Sequence, residues 1–332
     1  MADYDYHRHM AQVLADQPLL TDGYLYTYAS SVGIASEHVL DATAILATMQ
    51  AMPALWKQLT NQNTLAAIDV GAGEAAKSIA IANGLLHRLP RCQRFVLYAV
   101  EPDPHQRQAI ADQFMVADER LEVRVLPLTF DQLLDAQANE TLRLDPPPAY
   151  ATSIHVAYYL EQRNGLIPAF AGLPGLTVHQ VCFVVTEGSG QLQQMKHHLA
   201  KRCGLGTPAT VEMLQATFDH ARPRIPHAPI ITIPNTSWQV DMTKPPAQLV
   251  RDHFLFLLEH NWGQRPLTAN DLAEAGRWIQ AHAQPSGSDV GGGWHLNGPD
   301  ALLVAGSWLA THPGDLQVLT ARSTRWVLEP NH

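Results

Sequence analysis

Asp69, Gly71, Gly73 and Glu101 are the residues of this chain whose types and spacing are best suited to chemistry. The first three fall in Leu65-Ala66-Ala67-Ile68-Asp69-Val70-Gly71-Ala72-Gly73-Glu74, an apolar run, an acid, then a glycine turn. Glycine permits a tight backbone and removes side chains that would block a ligand. Glu101 follows a second apolar run, Phe95-Val96-Leu97-Tyr98-Ala99-Val100. In a parallel α/β sheet, a carboxylate at the end of the second strand stands beside the first glycine loop, where it can accept hydrogen bonds from ribose hydroxyls. The chemistry this points to is the binding of a nucleoside cofactor.

Two cofactors compete. Gly71-Ala72-Gly73-Glu74-Ala75-Ala76 satisfies the dinucleotide fingerprint, a weak match by itself. S-adenosylmethionine (SAM) is favoured by Asp69, which lies in the turn where it can meet the cationic amino-acid end of that cofactor. A pyrophosphate would be repelled by the same carboxylate. Glu101 also falls later than the roughly 20 residues usual for the dinucleotide acid. The plainer alternative is a tight βα turn flanked by ordinary loop acids.

The elements that must position these residues follow from periodicity. Apolar runs alternating with amphipathic stretches imply βαβ units and a parallel sheet with helices on both faces. The pattern predicts strands at 64–70, 95–100, 121–126, 149–156 and 178–186, with helices at 74–88, 104–116 and 130–138. Ligands in such sheets sit at the carboxyl ends of the strands. Asp69, Glu101, Thr129, Ile154, His155 and Glu187 are thereby expected along one rim. Residues 24–59 read as one or two cap helices. Further on, helices are expected at 211–220, 246–261 and 270–283, extended pieces at 229–240, 301–307 and 316–328, and a loop at 285–293. The expected organisation is an N-terminal helical cap (1–60), a cofactor-binding core (61–203) and a C-terminal completion of the sheet (204–332), together one compact domain.

Composition narrows the function. The 332 residues carry 22 Lys and Arg against 31 Asp and Glu, a net charge of −9, and no basic run. A nucleic-acid binder needs a basic footprint, so the expected partner is a small molecule rather than tRNA, rRNA or DNA. Three cysteines without a paired spacing suggest reduced thiols and a cytoplasmic setting. No window reaches the roughly 20 apolar residues of a membrane span. Although 17 histidines occur, adjacent His197 and His198 would diverge on a helix and no HExxH is present, so no metal site is expected. Ser189 lacks the flanking pattern of a hydrolase nucleophile.

Four segments occurring in order carry a resemblance: Ile68-Asp69-Val70-Gly71-Ala72-Gly73-Glu74, Val100-Glu101-Pro102 followed by Gln106, Ile154-His155-Val156-Ala157-Tyr158-Tyr159, and Val184-Val185-Thr186-Glu187-Gly188-Ser189-Gly190. Over about residues 60–200 the chain resembles class I SAM-dependent methyltransferases, and among them the histamine N-methyltransferase-like group. The resemblance implies a Rossmann-like methyltransferase fold. It also implies that Asp69, Gly71, Ala72 and Gly73 hold the methionine part of SAM, and that Glu101 holds the ribose with Pro102 and Gln106 close by. Thr129 would lie on the adenine side and Ile154 against the cofactor. His155, Tyr158 and Asn297 would face the acceptor. Two departures stand out. His155 replaces a glutamine of that group, and its acidic cap residue has no clear counterpart here: Glu37 and Asp41 are the nearest acids, and Thr43 is closer to the aligned place.

The resulting expectation is SAM-dependent methylation of a small molecule at an amine or heteroaromatic nitrogen, with S-adenosylhomocysteine as product. Methyl transfer from a sulfonium is an in-line displacement, so positioning and water exclusion are the main demands. His155 is the catalytic candidate, as a base or as an aligning group. An NAD-dependent oxidoreductase and a catalytically degenerate SAM-binding protein stand as alternatives.

Overall fold

The computed structural model describes residues 35–114, 118–156, 172–203, 226–234, 236–255, 258, 267–285 and 293–323. Expectations for Tyr158, the 211–220 helix and most of the 285–293 loop lie outside these residues. The chain forms two compact units, each assembled from three segments. One holds His38–Thr186, Glu212–Pro234 and Asp300–His332; the other holds Met1–Glu37, Glu187–Val211 and Asn235–Pro299. Ten strands are described, in chain order β1 (Thr64–Val70), β2 (Arg94–Val100), β3 (Leu121–Leu126), β4 (Tyr150–Ile154), β5 (Cys182–Glu187), β6 (Ile231–Ile233), β7 (Ser237–Val240), β8 (Gln284–Pro285), β9 (Trp294–Asn297) and β10 (Asp300–Ala305).

The larger unit is built on a seven-stranded sheet of order β3-β2-β1-β4-β5-β10-β6. The pairs β1–β2, β2–β3, β1–β4 and β4–β5 are parallel, and β10 runs antiparallel to β6. The result is a mostly parallel α/β sheet of the kind expected from the sequence. β1 and β2 are buried from their second residue onward, because helices or loops cover both faces of a central strand. On one face Leu65, Ala67, Phe95, Leu97, Tyr150, Phe183 and Val185 join a core with Ile45, Met49, Leu55, Ile79 and Leu85 from the helices. On the other, Ala66, Ile68, Val96, Tyr98, Ala151 and Val184 pack with Phe130, Leu133 and Leu176. Edge strand β3 instead alternates apolar and charged residues, and Glu122 accepts from Arg94 (2.6 Å) and Arg124 (2.5 Å).

The chain moves outward from β1 to β2 and β3, then returns to the other side of β1 with β4. Such a reversal opens a crevice at the carboxyl ends of β1 and β4. The glycine turn follows β1, and His155 follows β4.

Two cap helices, Glu37–Ala51 and Pro53–Thr60, precede β1. The second starts with Pro53 and receives no side-chain cap from Met52. Its first amides are served from far along the chain: Asp315 accepts from the N–H of Ala54 (2.9 Å) and Leu55 (3.1 Å), and from Trp308 Nε1 (2.8 Å). Asp315 belongs to the helix Pro313–Ser323, where an extended piece over 316–328 was expected. Leu316-Gln317-Val318 looks alternating, but the inward positions Asp315 and Leu319 are one helical turn apart, and that period prevails.

Residues 229–240 do not form one extended piece. β6 joins the seven-stranded sheet, and β7 joins a three-stranded antiparallel sheet of order β7-β9-β8 in the smaller unit. Gln191–Cys203 and Ala269–His282 are its longer helices, and residues expected as one helix from 246 run from α into a π turn at Val250–Phe254. Leu192, Met195, Trp238, Leu249, Phe254, Leu272 and Ile279 form its core. Among the described residues no single helix is long and apolar enough to cross a membrane.

Candidate active site

The glycine turn is held by specific bonds. Gly71 (φ +72°), Gly73 (φ +55°) and Ala75 (φ +59°) all take left-handed backbone. A Cβ on Gly71 would lie 2.6 Å from both methyls of Val156, so glycine is required there sterically as well. The N–H groups of Gly71 and Ala72 donate to the Val100 carbonyl at 2.9 and 3.1 Å, and Ala75 N–H donates to Ala72 at 2.8 Å. Gly73 N–H donates to Glu101 Oε2 at 2.8 Å, and Asp103 N–H donates to Glu101 Oε1 at 2.8 Å. Glu101 thus ties the two loops together at the ends of β1 and β2. Burial pushes its carboxyl up from the ordinary value, and the two backbone donors offset part of that rise. Pro102 is exposed. Gln106, in the first turn of the helix Pro104–Phe114, is buried, and its Nε2 makes no hydrogen bond among the described residues. An amide group in that state calls for a polar partner.

Asp69 lies in β1 rather than in the turn, and is buried. Its carboxylate accepts from the Ser78 hydroxyl (2.5 Å) and the Thr152 hydroxyl (2.7 Å). The parallel register sets Asp69 opposite Thr152, and Ser78 stands at the start of the helix after the turn. Burial raises the Asp69 carboxyl, and these hydroxyls and the Lys77 charge pull it partly back. Thr129 caps the helix Phe130–Ala138 in a reciprocal box with Gln132.

β4 ends at Ile154, which packs against the core. The strand is shorter than the expected 149–156, and His155 lies beyond it at φ +58°. Left-handed backbone at a non-glycine residue costs of order 1 kcal/mol or more and needs other contacts to hold it. Here His155 N–H donates to the Val185 carbonyl at 2.8 Å, and His155 Nε2 lies 3.0 Å from Asp41 Oδ2. The turn after β4, rather than strand alternation, therefore directs this imidazole.

Asp41, fully buried, comes from the first cap helix and also accepts from Lys77 Nζ at 2.8 Å. Burial alone would push its carboxyl up; the Lys77 and His155 contacts outweigh that and hold it at about 2. Asp300, also fully buried, opens β10 with an oxygen 3.8 Å from His155 Nε2. The cap acid that sequence alone left uncertain is thus brought to His155. Lys77, Ser78, Thr152 and Asp300 had not been singled out. The β1–β4 pairing could have suggested Thr152, but no local pattern joins Asp300 to residues 145 or more positions earlier.

The remaining expected positions belong to the smaller unit or lie outside the described residues. Asn297 ends β9 and donates its N–H to Gln191 Oε1 at 2.6 Å. Glu187 is buried and accepts from Lys196. Tyr158 is not among the described residues.

No family model matches the chain, and no curated relative matches it. Among solved structures it is similar to the cyclopropane synthase MmaA2 from Mycobacterium tuberculosis, at 15% identity and TM-score 0.42 over 79% of this chain and 83% of that one. It is also similar to a candidate sarcosine dimethylglycine methyltransferase from Galdieria sulphuraria, at 10% identity and TM-score 0.37 over 78% and 84%. The mycolic acid cyclopropane synthase CmaA1, in complex with S-adenosylhomocysteine, gives 11% identity and TM-score 0.36 over 73% and 79%. Likenesses this distant carry no weight for function, which has to be argued from the residues at the crevice.

Proposed function

We propose that the chain transfers a methyl group from SAM to a small-molecule acceptor, at a nitrogen of an amine or heteroaromatic compound. The observation that carries this reading is Glu101 at the end of β2, bonded to Gly73 N–H of the turn after β1. A carboxylate has about four lone-pair sites, so each Glu101 oxygen retains acceptor capacity for a ribose hydroxyl beyond its one backbone bond. Gln106 Nε2, buried and without a hydrogen bond among the described residues, is a second polar group suited to a ligand. A dinucleotide would need turn N–H groups for its pyrophosphate, whereas those of Gly71, Ala72, Gly73 and Ala75 are engaged within the protein.

In this reading Gly71, Ala72 and Gly73 hold the amino-acid end of SAM, with the Asp69 charge nearby. Glu101, Pro102 and Gln106 hold the ribose side, Thr129 the adenine side, and Ile154 an apolar face. When bound, SAM supplies a methyl group on a sulfonium, a good leaving group. The protein's own task is to orient the acceptor lone pair, exclude water and take up a proton. His155 does this from the acceptor side. Because a carboxylate only accepts, the Asp41 contact places a hydrogen on Nε2 and the basic lone pair of neutral His155 on Nδ1.

Methyl-labelled SAM incubated with a panel of amines, imidazoles and indoles, with tRNA and DNA in parallel, tests the reading. Label is expected in one or more small nitrogen compounds. Label only in nucleic acid, or in none of the panel despite SAM binding, would overturn it.

A further inference from the structure

We propose that Asp41, His155 and Asp300 form a binding site for a divalent transition-metal ion. His155 Nε2 lies 3.0 Å from an Asp41 oxygen and 3.8 Å from an Asp300 oxygen. One donor atom from each of the three residues falls within 4.8 Å of the others. Neighbouring ligands each about 2.0–2.2 Å from a shared ion stand roughly 3 Å apart, so these spacings close on one ion with small side-chain adjustments. One imidazole and two carboxylates suit manganese, iron, cobalt or zinc better than calcium or magnesium, which favour all-oxygen shells.

Burial supplies the second argument. Both carboxylates are fully buried, and the imidazole is 15% exposed. Asp41 Oδ2 serves Lys77 and His155, but its buried Oδ1 makes no hydrogen bond among the described residues. An acceptor oxygen buried in that state is costly unless something meets it. The donors come from the first cap helix, the turn after β4 and the start of β10, so no short motif reveals them.

Lys77 is the built-in competitor, because its ammonium holds Asp41 at 2.8 Å. A dication draws Asp41 away from it or shares the carboxylate with it. At His155 the ion takes the Nε2 lone pair, and the imidazole proton moves to Nδ1, so the ring stays neutral and no net proton is released. With the ion bound, the imidazole serves as ligand instead of base. Ion binding does not depend on SAM and goes beyond the methyl-transfer reading.

The test is a titration of tag-free, full-length protein with cobalt(II), without SAM, followed by visible absorption. One equivalent is expected to bind saturably. Asp300→Asn and His155→Gln, with circular dichroism unchanged, should each weaken binding roughly tenfold or more. Lys77→Met should tighten it by freeing Asp41 from its competitor, a change that a misfolded site would not produce. No saturable spectrum at millimolar cobalt, undiminished affinity in the folded Asp300 and His155 variants, or unchanged or weaker binding in Lys77→Met would overturn the site. SAM affinity measured on the same samples keeps the two readings apart. Protein that binds SAM but not cobalt loses only the metal site, and protein that binds cobalt but not SAM loses only the methyl-transfer reading.

Discussion

At the residue scale, Glu101 does two jobs with one carboxylate. It braces the glycine turn through Gly73 N–H and, in our reading, meets a ribose. Glu101→Ala leaves those amides without their acceptor and should weaken SAM binding by about 1–3 kcal/mol in a calorimetric titration. His155 is expected to behave differently. Its imidazole is held by Asp41 and, in our reading, faces the acceptor, so His155→Ala should lower turnover or raise the acceptor KM and leave SAM affinity within roughly twofold. Loss of SAM binding in that variant would place His155 on the cofactor side instead. These residues differ in how readable they were. Gly71, Gly73 and Glu101 announce themselves because strand, turn and strand end are local in sequence. Asp69 was expected in the turn although the 64–70 strand already spanned it, and its hydroxyl partners Ser78 and Thr152 were not read. Asp300 and Lys77 were invisible because their partners lie far along the chain.

At the element scale, the alternating core was legible from its apolar runs, and Phe130–Ala138 forms where the spacing predicts a helix, with Thr129 as its N-cap. Thr129→Ala should cost about 0.5–2 kcal/mol of stability in denaturant unfolding, and Thr129→Ser should restore most of it. The errors concentrate where a long-range partner decides the local structure. Pro313–Ser323 becomes helical with Asp315 buried beneath the cap helix Pro53–Thr60, a contact spanning some 260 residues. Replacing Asp315 with Ala strands two helix-terminal amides and the Trp308 indole. A loss of about 3 kcal/mol or more is expected, read as a lowered denaturation midpoint. An unchanged midpoint would show that the cap helix does not need this remote acceptor. Gly71→Ala should damage turn and cofactor affinity together, because its Cβ would meet Val156.

At the scale of the whole molecule, a net charge of −9 without a basic run favours the proposed small-molecule acceptor over nucleic acid, since phosphate backbones need neutralising charge. The chain passes between the two units at Glu37–His38, Thr186–Glu187, Val211–Glu212, Pro234–Asn235 and Pro299–Asp300, so each unit is assembled from stretches far apart in sequence. What the larger unit does show is a topological reversal beside β1, with a glycine turn, a strand-end carboxylate and an acid-held histidine gathered at its mouth. The central claim is that this mouth holds SAM. Calorimetric titration of the purified chain with SAM and, separately, with NAD tests it most directly. The account predicts micromolar or tighter SAM binding that Glu101→Ala weakens, with no measurable heat from NAD. NAD binding in place of SAM, or SAM affinity untouched by Glu101→Ala, would contradict it.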